Sequence, residues 1–274
     1  MRYDLKAMVR RKGNTRRKSI TFRTITPPAI YASDLFAQAY APILKLWEQA
    51  ATDLIAQYER SLREMTTDSP SQVSVILSAV ENEAGRLMIT LRIRLEAWAA
   101  RIERWQRGRW AGAVKTATGL DISDLIGPRD MREPIAMVVE RNVGLIKSVS
   151  DQARQRIGEA VFAGLNKRAA ARDVAADIRA AVAMGRRRSL GIASDQLTKM
   201  NSSLAAERRR EAGLDTWEWV HSGKLHPREE HRARNGKRYS DDPADNAPPP
   251  EDRPGELPFC GCTERAVLDL ESEF

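Results

Sequence analysis

Apolar side chains recur at helical spacing through most of the chain. Ile43, Trp47, Ala50, Leu54, Tyr58 and Leu62 stand three or four apart and predict one amphipathic helix, with Pro42 near its start, where the missing N–H costs nothing. A second helix starts at Ser69-Pro70. Its stripe runs from Leu77 through Val80, Ala84, Leu87, Leu91, Leu95, Trp98 and Ile102 to Trp105 without losing period, which is long for a globular helix. Gly108, Gly112 and Gly119 loosen its end, and Gly127-Pro128 stops the turn that follows. A third helix is predicted from about Glu133 to Leu165, with Val138, Val143, Ile146, Val149, Ile157 and Val161 in its pattern. A shorter helix from Asp173 to Met184 is predicted to end at Gly185, and another from Ser189 to Ala212 to end at Gly213. None of these stripes keeps strict heptads with charged flanks, so a packed bundle is expected rather than a free coiled coil. Trp47, Trp98 and Trp105 read as its anchors.

The pattern changes at Leu214. Thr216-Trp217-Glu218-Trp219-Val220-His221 alternates bulky and polar residues, as a strand does. Asn235-Gly236 marks a tight turn before a short strand at Lys237–Ser240, and a last strand is predicted at Thr263–Leu268. Between them lies a loop, residues 241–258, that carries six prolines and six acids and fits neither helix nor central strand. The fold class expected is mainly α: a long-helix bundle with a small C-terminal α+β module. Three regions follow: a basic, flexible N-terminal arm at 1–32, a helical bundle at 33–185, and the C-terminal module at 186–274.

Composition narrows the classes. The chain has 274 residues with 42% hydrophobic content, ample for a buried core. Two cysteines cannot make a disulfide scaffold, and no uncharged apolar stretch of about 18 residues is present, so no membrane partner is expected. The basic start has no apolar run behind it and is not a secretory signal, so a reducing compartment is expected. The net charge of +8 is concentrated: residues 1–24 hold Arg2, Lys6, Arg10, Arg11, Lys12, Arg16, Arg17, Lys18 and Arg23 against Asp4 alone. The remaining 250 residues balance, 36 basic against 36 acidic. Such an arm, with Arg10, Arg11, Lys12, Arg16, Arg17 and Lys18 at its centre, suits double-stranded DNA or an acidic protein surface; a solvated tail is the plain alternative. Two further triplets, Arg186-Arg187-Arg188 and Arg208-Arg209-Arg210, read as a solvated helix face or as salt-bridge partners.

All candidate chemistry falls in the C-terminal module. His221, His226 and His231 lie within eleven residues of one another, and Cys260 and Cys262 follow about thirty residues later. Thiolate and imidazole are zinc ligands, and a small loop-rich module needs a staple. Cys260, Cys262 and His231 with His226, or with His221 as the alternative fourth ligand, would make a tetrahedral structural zinc site. The cysteines are one residue apart, closer than in the usual knuckle. Buried thiols acting as small hydrophobes, or a local disulfide, are the competing readings. Catalysis has less support: there is no His-Glu-x-x-His pattern, no glycine-rich phosphate loop, and Glu229 and Glu230 read as solvated charge. A metal-dependent nuclease using the His/Cys cluster is the enzymatic alternative.

Ile192-Ala-Ser-Asp-Gln196 through Asn201, Glu211-Ala-Gly213, Trp217-Glu-Trp219, Arg228-Glu-Glu-His231, Asn235-Gly236 and Cys260-Gly-Cys262 together resemble the Mu F-like head morphogenesis family of tailed phages. That family orders a polar helix end, a Trp-bearing strand, an Arg-x-x-His turn, a Gly turn and a late Cys-x-Cys. The resemblance covers about residues 130–270. The chain departs from it at Gly261, where the family often has a basic residue, and at Lys224-Leu225-His226, where an Asp is common. The resemblance implies a non-enzymatic minor capsid protein that binds the portal protein or the major capsid protein. It implies a place in the virion, at the head interior or portal vertex, after assembly in the host cytoplasm.

Overall fold

A computed structural model of the chain describes residues 3–13, 17–64, 69–128, 131–241 and 247–271. Arg2 and Arg16 of the basic segment lie outside the described residues. The elements run α1 (Leu5–Lys12), β1 (Ser19–Thr21), α2 (Ile30–Leu35), a π-helical turn (Phe36–Tyr40), α3 (Ala41–Glu64), α4 (Ser69–Thr118), α5 (Arg132–Lys167), α6 (Ala171–Glu211), β2 (Thr216–Val220), α7 (Glu229–Ala233), β3 (Arg238–Ser240), a 3-10 turn (Pro250–Asp252) and β4 (Thr263–Asp269). The fold is mainly α with a small C-terminal sheet, as the periodicity predicts. Among the described residues no helix is long and apolar enough to cross a membrane.

Two compact units are formed. One gathers Ala32–Trp98 and Val139–Ala193; the other gathers Met1–Tyr31, Ala99–Val138 and Ser194–Phe274. The structure therefore divides the chain differently from the expected 1–32, 33–185 and 186–274. The physical reason is helix length: α4, α5 and α6 each contribute one part to one unit and the rest to the other.

Among the described residues, the secondary structure of the first unit is all helical. Its core holds Tyr40, Ile43, Trp47, Leu54, Tyr58, Leu91, Leu95, Trp98, Ile146, Val149, Ile157, Val161 and Ile178. Three of its large aromatics keep a polar handle satisfied. Tyr40 Oη bonds Asn142 Oδ1 at 3.0 Å, Trp47 Nε1 donates to Ser150 Oγ at 3.0 Å, and Tyr58 Oη donates to Ala169 O at 2.7 Å. Pro42 is the second residue of α3, near its start as expected, and α2 and the π turn lead into it from Ile30. Pro42 has no N–H for the carbonyl of Gln38, four residues back, and the chain widens into the π turn there. Arg94 Nη1 donates to the Gln38 carbonyl at 3.3 Å. Gly185 does not end a helix either. α6 runs through it, Ser189 Oγ bonds its carbonyl at 2.8 Å, and Leu44 packs so close that a Cβ would stand 3.1 Å from Cδ2.

The second unit holds an antiparallel sheet in the order β1-β4-β2-β3. The described residues of the expected arm, 3–13 and 17–32, are not free. Asp4 caps α1 by accepting from Ala7 N at 2.8 Å, and Tyr3 N and Leu5 N donate to Glu211 O and Ala212 O at the end of α6. Leu5 and Val9 are buried with Ile20, Phe22, Trp110, Val114, Ile122, Leu214, Ala266 and Leu268. β1 pairs Ser19 with Asp269 and Thr21 with Val267. Apolar anchors and a strand partner thus order a segment whose composition reads as disordered.

The second basic triplet is at the centre of this unit. Arg208 and Arg209 are among its most deeply buried side chains, at 0% and 1% exposure, whereas Arg210 sits toward solvent. Arg208 bonds Glu103 on α4 at 2.6 Å, Glu211 at 2.8 Å and the Gly127 carbonyl at 3.2 Å. Arg209 donates to Glu264 of β4 at 2.9 Å, to both carboxylate oxygens of Asp241 at 2.8 and 3.0 Å, and to the Leu214 and Asp215 carbonyls. Removing one partner of a buried ion pair leaves uncompensated charge. Arg209→Met is expected to lose about 3–5 kcal/mol of stability, read from urea unfolding of the full chain. Burial alone would raise the Asp241 carboxyl, but hydrogen bonds from Arg209 and its charge outweigh that and hold it below the usual range. The tie therefore contributes above the ordinary carboxylate pKa and is lost as pH falls through the depressed one. Unfolding followed against pH should show this acid loss, and Asp241→Asn should flatten it.

Candidate metal centre

β2 presents Trp217 and Trp219 to one face, and with Cys260 and Cys262 they form a separate small core. The opposite face of β2 carries Glu218, paired across the ladder with Arg265 of β4 at 3.1 Å. After β2 the chain turns back through α7, which is short and places a buried His231 edge-on against Trp219, ring centroids 4.9 Å apart.

His231 and both cysteines meet here. Cys260 Sγ stands 3.4 Å and Cys262 Sγ 3.7 Å from His231 Nδ1, and the three ligand atoms lie within 4.8 Å of one another, all buried. Both cysteines are free. The second imidazole nitrogen, Nε2, is 2.8 Å from Asp252 Oδ1, and Asp252 Oδ2 accepts from Arg234 Nη1 at 2.7 Å. Arg234 in turn lies over the Trp219 ring, 5.1 Å from its centroid. The Asp252 carboxyl is pushed up by burial, yet bonds from Arg234 and His231 bring it below the usual range. The Cys260 thiol is held below its usual range, chiefly by its neighbour Cys262, and Cys262 is pushed up by the same neighbour and by burial.

The other histidines do not join the group. His226 is exposed in the loop before α7, and His221 is half-buried with its Nδ1 accepting from Gly223 N at 3.1 Å. The expected four-ligand set of Cys260, Cys262, His231 and His226 or His221 thus reduces to three residues. The two outer imidazoles follow β2 in an open loop, whereas His231 is carried inward by α7. Glu229 and Glu230 are exposed in the first turn of α7.

Sequence reasoning missed the residues that hold the sulfurs in place. Asp195 and Lys199, one turn apart on α6, grip the proline-rich loop from below. Lys199 Nζ donates to the carbonyls of Gly255 at 3.0 Å and Leu257 at 3.3 Å, and also to that of Glu256. Asp195 Oδ1 accepts from Phe259 N at 2.6 Å, and burial raises its carboxyl. Lys224 Nζ and Arg228 Nη2 bond the Phe259 and Pro258 carbonyls at 2.6 and 3.0 Å. Phe259 itself sits at φ 58°, a left-handed conformation costly for an aromatic residue. Gly255 adopts φ 85°, and a Cβ there would collide with Ser202 of α6. Gly255→Ala should therefore lower stability by about 1–3 kcal/mol, measured by thermal and urea unfolding. The advance signals were the Asp195–Asn201 run and Arg228 of the Arg-x-x-His turn; Asn201 also donates to the Ile25 carbonyl at 2.9 Å.

Comparison with known proteins bears on this same region. Residues 151–265 match the family model described as phage Mu protein F like protein. An uncharacterized protein of Haemophilus influenzae is 30% identical over 159 residues, which cover 57% of this chain and 34% of that protein. The chain thus spans about a third of that relative's length. No solved structure matches. The matched segment begins in α5, takes in all of α6, and ends in β4 just past Cys262. Over residues 151–265, less than half of its length, the chain is similar to the phage Mu protein F like family.

Proposed function

We propose that the protein is a non-enzymatic minor capsid component that binds the portal protein or the inner face of the major capsid shell during head assembly. The observation that carries this reading is the Mu F-like match over residues 151–265, which includes α6, the Trp-bearing strand and the Cys-x-Cys segment. Its place is the virion, at the head interior or the portal vertex, reached by assembly in the host cytoplasm. A surface feature supports docking against a protein. α4 leaves Val75, Ile89 and Ile93 at 64–72% exposure, and a helical projection puts them along one stripe. Purified particles test the reading: the chain should be found in heads in low copy and in a complex with portal. Heads that assemble and package normally without it would overturn the proposal.

The basic N-terminal residues supply the contact to packaged double-stranded DNA. Arg10, Arg11, Lys12, Arg17 and Lys18 are exposed, and part of their capacity is already used: Arg10 bonds the Leu270 carbonyl, Lys12 the Gly119 carbonyl, and Lys18 pairs with Glu271. Because Leu5, Val9 and β1 belong to a folded core, deleting residues 1–24 would damage the unit itself. Charge substitution is the cleaner test. Arg10→Gln, Arg11→Gln and Arg17→Gln combined should lower the salt dependence of duplex binding, the slope of log K against log salt falling by about three. Binding with an unchanged slope would remove DNA contact from this segment.

A further inference from the structure

We propose that His231 Nδ1, Cys260 Sγ and Cys262 Sγ bind one zinc ion, with Asp252 orienting the imidazole from behind. The first support is distance. Zinc lies about 2.3 Å from thiolate sulfur and about 2.0–2.1 Å from imidazole nitrogen, so the sulfur–nitrogen edge of a zinc tetrahedron is about 3.5–3.6 Å. The two edges here are 3.4 and 3.7 Å. Three donors from two distant chain segments have converged to the separation that a shared ion imposes.

The second support lies behind the ligands. A ligating histidine commonly donates its other ring N–H to a carboxylate, which fixes the tautomer. Asp252 accepts at Nε2, leaving the Nδ1 lone pair directed at the sulfurs, and Arg234 balances the Asp252 charge. Charge is the third. Two thiolates and a neutral imidazole cancel the charge of a divalent ion, so a buried site is left neutral. The donors are soft sulfur and imidazole nitrogen, a set that selects zinc over magnesium or calcium. Among the described residues no other His, Cys, Asp or Glu reaches the group, so the fourth position falls to water or to a donor outside them. The ion joins α7 to the strand-leading Cys-x-Cys and closes the proline-rich loop, which carries little secondary structure of its own.

The test uses the full chain purified under reducing conditions without chelator. Elemental analysis should give about one zinc per chain, and Cys260→Ser or Cys262→Ser should bring it close to zero. Exchange into cobalt(II) should produce the strong visible bands of a tetrahedral site and a near-ultraviolet sulfur-to-cobalt band. Asp252→Asn leaves all three ligands in place. It should weaken zinc affinity by about 10–100-fold, read by competition with a chromophoric chelator. A folded, reduced chain with two titratable thiols, no retained zinc and no cobalt bands would overturn the proposal, as would a Cys260–Cys262 disulfide in the protein as isolated. Unchanged affinity in Asp252→Asn would overturn the part assigned to Asp252. These readouts do not depend on head assembly, so the site stands or falls apart from the proposed function.

Discussion

Arg209 is the point on which the sheet-bearing unit turns. Its guanidinium reaches Glu264 at the start of β4, Asp241 just after β3, and the carbonyls of Leu214 and Asp215 that lead into β2. One side chain at the end of α6 thus sets where three strands begin or end. A lysine could not do this, because a single ammonium lacks the planar fork that meets two carboxylates and two carbonyls at once. Arg208 does the parallel task toward α4 through Glu103 and toward the loop before α5 through Gly127. Burying two adjacent guanidinium groups is costly unless every partner is in place. The arrangement therefore penalises any other register of β4 against β2, and that register is what delivers Cys260 and Cys262 to His231.

The proline-rich excursion between Asp241 and Pro258 follows the same logic. Its described residues form no strand, and α6 holds them by side chains instead. Lys199 gathers consecutive carbonyls, Asp195 takes the Phe259 N–H, and Arg253 joins Asp241 at 3.1 Å. Six prolines limit how much chain entropy must be lost on ordering. Two of the loop's acids, Asp252 and Asp241, are the carboxylates that the histidine and the buried arginine need. A zinc ion would complete this scheme at the one place where sulfur and imidazole, rather than opposite charges, face each other.

Much of the fold could be read from the chain because amphipathic helices write their burial into local spacing. The stripes of α3, α4 and α5 became cores, Trp217 and Trp219 took one face of a strand, and the His/Cys clustering marked the right module. Errors arose where the deciding interaction is long-range. Gly185 looked like a stop, yet the packing of Leu44 carries α6 straight through. The Arg208–Arg209 pair looked like surface charge, since a core ion pair and a solvated one share the same letters.

Sequence by itself determined the helical character, the switch to strands after Leu214, the concentration of positive charge in the first 24 residues, and the thiols and imidazoles available for chemistry. Tertiary structure alone decided that the basic segment is a folded part of the sheet, with Ser19 beside Asp269. It also decided that His231, and neither His226 nor His221, turns toward the sulfurs, and that Asp252 stands behind it. The reason is common to all three. Periodicity records which face of an element is buried, while the partner across a gap of tens or hundreds of residues is chosen by shape and charge that no local window contains.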